Sequence, residues 1–77
     1  MDSNLTIQES LDCLYPNDLV VTQFTRQLLN KRSRVYEVQF RLYNMADGDR
    51  YYTGICVIDR DDCCQWSGIE LVQAVGN

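Results

Sequence analysis

Tyr36, Val38, Phe40 and Leu42 alternate with Glu37, Gln39 and Arg41. Apolar side chains at every second residue share one face of an extended chain, so this period predicts a half-buried strand over residues 34–43. Asp47-Gly48 follows, a dipeptide that tolerates the positive φ angles of a tight hairpin turn. Residues 50–58 read as the return strand. Ile55, Cys56, Val57 and Ile58 give it apolar groups on both faces, which suits a central position or material packed on each side. A two-residue loop at Asp47-Gly48 sets Phe40 opposite Ile55 and Val38 opposite Val57; a one-residue slip sets them opposite Gly54 and Cys56. The first register pairs an aromatic with a β-branched side chain and is preferred. Gly54 marks a bulge or a close backbone approach.

Upstream, residues 4–14 carry a helical period. Ile7, Leu11 and Leu14 form one apolar stripe, and Thr6-Ile7-Gln8-Glu9 fits a capping box. Tyr15-Pro16 ends the helix, because the residue before proline is pushed out of the helical region, and Pro16-Asn17-Asp18 reads as a turn. Residues 19–30 are ambiguous. Asp18 suits an N-cap with Val20, Val21, Phe24 and Leu28 as a stripe, yet the β-branched content of Leu19–Thr25 favours a strand with its tip at Asn30-Lys31-Arg32-Ser33. The strand is the preferred reading. Asp59-Arg60-Asp61-Asp62 leaves the hairpin as a solvated turn, and residues 69–75 alternate weakly as an edge strand.

These elements fit one small domain over residues 1–77 of the α+β class: an N-terminal helix packed on a three- or four-stranded antiparallel meander. Two helices followed by a hairpin, or a small barrel with a helical lid, are the alternatives. The face of Tyr36, Val38, Phe40 and Leu42 is expected to pack on Ile7, Leu11 and Leu14. An apolar content of 45% favours a folded chain, and one proline with four glycines leaves no linker. The longest apolar run is Leu19-Val20-Val21, far short of the ~20 residues of a membrane span. With no signal-like start, a cytoplasmic chain is expected.

Charge divides the chain. Residues 1–25 hold only acids, residues 26–41 hold Arg26, Lys31, Arg32, Arg34 and Arg41 against Glu37, and residues 42–77 are acidic again, for a net charge of −4. The cationic segment, with Tyr36, Tyr43 and Tyr51 nearby, is the candidate nucleic-acid surface. The acidic total opposes it, because counterion release from a basic surface supplies most nucleic-acid affinity. Strand reversal also brings Lys31–Arg34 and Asp59–Asp62 to one end of the hairpin, where they partly neutralise one another.

Candidate chemistry is sparse. The chain has no histidine, so serine and thiol nucleophiles lack their commonest base, and no catalytic residue is assigned. Asp59, Asp61, Ser67 and Glu70 match positions of a calcium loop, but Cys63 and Cys64 occupy positions that need an oxygen ligand and a glycine. Cys13, Cys56, Cys63 and Cys64 read as reduced thiols, since two are adjacent and one lies in a strand pattern. No Cys-x-x-Cys pair supports zinc. A redox role for Cys63-Cys64 is opposed by the aspartates before them, with only Arg60 as a nearby cation. No cofactor or metal is expected.

The expected function is that of a protein-binding or regulatory module without catalytic activity, an inhibitor or accessory subunit of a larger complex. Trp66, Asp59, Asp61 and Asp62 are the candidate contacts, since tryptophan anchors many interfaces and an acidic turn suits a basic partner. An edge strand offers a second route, to a partner's strand or to a homodimer. The alternative is nucleic-acid binding through Arg26, Lys31, Arg32, Arg34 and Arg41.

Overall fold

The structure, a computed structural model, describes residues 3–17 and 20–76. One helix, α1 (Ser3–Leu14), precedes four strands, β1 (Val20–Asn30), β2 (Val35–Asn44), β3 (Gly48–Ile58) and β4 (Cys64–Val75). The strands pair in chain order as an antiparallel meander, β1-β2-β3-β4. The sheet is open, with α1 on one face, and the chain is α+β. Residues 20–30 are therefore a strand, and the two-helix and barrel alternatives do not apply; Asp18 and Leu19 lie outside the described residues.

α1 begins three residues before Thr6, which takes the fourth helical position rather than the cap. The capping-box spacing matches, but the helix takes in Ser3-Asn4-Leu5 upstream of it. The Tyr15 amide makes the last helical bond, to the Leu11 carbonyl at 3.0 Å, and Pro16 ends the element as expected. Ile7 and Leu11 are fully buried, whereas Leu14 is 49% exposed. Tyr15 covers the sheet instead, its ring 6.0 Å from that of Phe40 and 6.2 Å from that of Tyr52.

The core comprises Ile7, Leu11, Val38, Phe40, Leu42, Cys56 and Ile58. Phe40 is its hub: it stacks on Tyr52 at 5.4 Å and meets Trp66 edge-on at 5.9 Å, geometries that aromatic quadrupoles favour. Tyr36, on the same face, is only half-buried, with the Arg26 guanidinium 5.3 Å above its ring.

Asp47-Gly48 does mark the hairpin, but the loop is Met45-Ala46-Asp47, closed by the Asn44–Gly48 pair with Gly48 at φ 77°. Asn44 Oδ1 accepts the Ala46 amide at 2.8 Å inside the turn. Phe40 consequently faces Tyr52 and Val38 faces Gly54, so both registers weighed from the sequence are displaced. Pairing aromatic with β-branched residues was a weaker constraint than loop geometry. β3 is central, but the face bearing Tyr51, Thr53, Ile55 and Val57 is half-buried and carries no second layer among the described residues.

β4 starts at Cys64, five residues before the expected edge strand, and takes in Trp66. Register shifts against β3 leave Ser67 and Val72 as extra residues, and β1 carries equivalent bulges at Phe24 and Leu29. The bulges break the period of two, which is why the first half of β4 reads as a loop in sequence.

Candidate functional site

The β3–β4 turn is built around one carboxylate. Asp59 Oδ1 accepts the amides of Asp61 and Cys63 at 2.9 and 3.0 Å, and Oδ2 accepts Gln65 Nε2 at 3.2 Å. These bonds, that from Cys63 foremost, hold Asp59 below the ordinary carboxylate value. Asp62 pairs with Arg34 at 2.9 Å. Of the three candidate acidic contacts, Asp59 closes the turn and Asp62 braces it, which leaves Asp61, exposed, as the one facing solvent without such a role.

Trp66 sits half-buried between sheet and helix. Its Nε1–H donates to Ser10 Oγ at 2.8 Å, and its ring lies over Gly54. A Cβ at Gly54 would stand 2.8 Å from Trp66 Cζ3, so the glycine is the close approach that its place in a strand suggested. The indole joins α1 to β4, which leaves it poorly placed as a free anchor.

The five candidate cations do not converge. Arg26 lies on the helix side, donating through Nη1 to Ser3 Oγ and covering Tyr36. Arg41 lies on the opposite face, 3.6 Å from Asp49 Oδ1. Arg34 is turned to Asp62 and the Asp59 carbonyl. Lys31 and Arg32 are exposed at the β1–β2 turn.

On the open face, Glu37, Thr53, Ile55, Gly68 and Glu70 line a hollow of about 230 Å³. Ligand pockets run to roughly 300–1,000 Å³ and enclose most of their occupant, so this depression is smaller than an ordinary ligand pocket. Its two carboxylates stand on strands either side of β3.

The far half of β4 carries three exposed apolar side chains among the described residues. Leu71, Val72 and Val75 are 55%, 65% and 49% exposed, and β4 is an edge with no strand beyond it among the described residues. Between Cys64 and Val75 there is no lysine, arginine or proline. The weak alternation of residues 69–75 was the only signal of this edge in the sequence.

All four cysteines are free thiols, with Cys13 and Cys63 exposed, Cys64 half-buried and Cys56 buried. Cys56 and Cys64 share the helix-facing side of the sheet, which sequence spacing did not indicate. No helix among the described residues is long and apolar enough to cross a membrane. No family model matches the chain, and no curated protein or solved structure does either.

Proposed function

We propose that this chain is a small protein-binding domain, an accessory or regulatory subunit rather than an enzyme, that takes a partner's strand along β4. The observation that carries this reading is the apolar, uncharged outer edge at Leu71, Val72 and Val75. Sheet edges in monomeric proteins are ordinarily blunted by lysine, proline or a covering element, because their free amides and carbonyls template another strand. β4 has no lysine, proline or covering element among the described residues, and its edge is blunted only by the bulges at Ser67 and Val72. Strand addition draws affinity from main-chain hydrogen bonds and specificity from alternate side chains. The acidic turn supports this role less well, since Asp59 and Asp62 are already engaged.

The test combines solution mass with partner retention. Wild-type chain is expected to be larger than a monomer by light scattering, or to retain a partner from its source cells. The Val72→Lys, Val75→Lys double variant is expected to lose that association with an unchanged circular dichroism spectrum. A strictly monomeric wild type that retains nothing, or an association unaffected by the double variant, overturns the proposal.

A further inference from the structure

We propose that the sheet face opposite α1 is a docking surface for a basic amphipathic helix of a protein partner, with a lysine or arginine of that helix seated between Glu37 and Glu70. This surface is separate from the β4 edge, because side chains rather than free backbone groups make it.

Its content follows from the register. Glu37 of β2 and Gly68 of β4 flank Ile55, and Gln39 and Glu70 flank Thr53 in the next row. Tyr51 and Val57 continue the strip at its two ends, with Val57 opposite Val35. Cross-strand partners share a face, so β3 presents one strip between two polar rows. The solvated face of an antiparallel sheet ordinarily carries polar side chains. Here three of the four central positions are aromatic or aliphatic. All four are half-buried, with no second layer over them among the described residues.

Width decides the shape of the occupant. Neighbouring strands lie about 4.8 Å apart, so the rows of β2 and β4 are separated by about 10 Å. That separation matches the diameter of a helix, about 10–12 Å, whose single apolar stripe covers one strand. A second sheet would need apolar side chains on several adjacent strands, and Glu37, Gln39 and Glu70 stand where those would lie.

Charge decides its chemistry. Arg41 already stands 3.6 Å from Asp49, whereas neither Glu37 nor Glu70 pairs with a cation among the described residues. Both line the hollow of about 230 Å³ over Ile55. Gly68 opens it, since a Cβ placed there meets nothing within 4 Å. A lysine or arginine reaching in lays its methylene stem on Ile55 and brings its charge between the two carboxylates. A second copy is a poor occupant. Face to face, it sets Glu37 and Glu70 against their own counterparts, and its α1 carries Glu9 and Asp12 without a lysine or arginine.

The probe is a synthetic helix of about 18 residues built from leucine and lysine, with the leucines on one stripe, beside a leucine–glutamate peptide of the same pattern. Each is titrated into the isotope-labelled chain at low salt and followed by amide chemical shifts. The lysine peptide is expected to shift the amides of Thr53, Ile55, Gly68 and Glu70, and the glutamate peptide to leave them unmoved. Glu37→Gln with Glu70→Gln is expected to weaken binding by about tenfold. Gly68→Phe, which fills the hollow from a position with room for a Cβ, is expected to abolish it with an unchanged circular dichroism spectrum. Glu9→Gln with Asp12→Asn removes the same charge from the helix side and is expected to leave the affinity within about twofold. No binding of the lysine peptide, equal binding of both peptides, shifts confined to α1 or to residues 71–75, or equal losses in the two charge-neutralised variants overturns the proposal. Concentration-dependent broadening of the same amides in the peptide-free chain also overturns it, by making a second copy the occupant.

Discussion

Arg34 and Asp62, 28 residues apart in sequence, meet at 2.9 Å with both backbones in the left-handed region, at φ 55° and 62°. Each closes a turn at the same end of the sheet, and Arg34 Nη1 also donates to the Asp59 carbonyl at 3.2 Å. One charge from each turn is thereby spent on cross-bracing them. Their side chains are 36% and 46% exposed, so the pair is a surface ion pair. A double-mutant cycle with alanine is expected to give a coupling of about 0.2–1 kcal/mol that shrinks with added salt. Asp62→Gly should retain more stability than Asp62→Ala by about 1 kcal/mol, because glycine adopts positive φ without strain. Urea denaturation of the single and double variants measures both effects.

Gly54→Ala is expected to destabilise the fold by about 1–3 kcal/mol through overpacking. The new methyl would meet Trp66 at 2.8 Å and, at 3.1 Å, the backbone carbonyl of Gly68, which cannot rotate away. Trp66→Leu should remove part of this cost, so the two substitutions are expected to be non-additive in urea unfolding.

The helix faces differ sharply in their predicted sensitivity. Leu11 is fully buried, and Leu11→Ala is expected to cost about 2–5 kcal/mol, a large share of a small domain's stability. Leu14 is half-exposed despite lying on the same sequence stripe, and Leu14→Ala should change stability by less than about 1 kcal/mol. Equal losses in the two variants, measured by thermal melting, would show that α1 docks on a different face.

Asp59 supplies an acid-sensitive contribution. Its folded value is depressed by the Cys63 amide first, then by Asp61, Gln65 and Arg34. A depressed carboxylate stabilises the fold above its unfolded value of 3.8, and that contribution is lost as the pH falls below it. Wild type is therefore expected to exceed Asp59→Asn in urea midpoint at about pH 6, with the gap narrowing at about pH 3. A constant gap at both pH values would locate the effect in packing rather than charge.

Periodicity determined the types of α1, β2 and β3, and composition tipped β1 towards a strand. The alternation of Tyr36 to Leu42, the β-branched residues of β1 and the stripe of Ile7 and Leu11 each carry their conformation locally, because side-chain spacing decides which face can be buried. The end of α1 at Pro16 and the presence of a hairpin near Gly48 were legible for the same reason. Register was not. It depends on a three-residue loop with its glycine at positive φ and on bulges at Ser67 and Val72, whose sequences resemble those of regular turns and strands. Only the assembled sheet placed Trp66 over Gly54, moved burial from Leu14 to Tyr15, and engaged Asp59 and Asp62 in turn closure. It alone brought Ser10 to Trp66 and made Cys56 and Cys64 diagonal neighbours, since contacts between strands and helix follow from register and docking, neither of which any local stretch of this chain specifies.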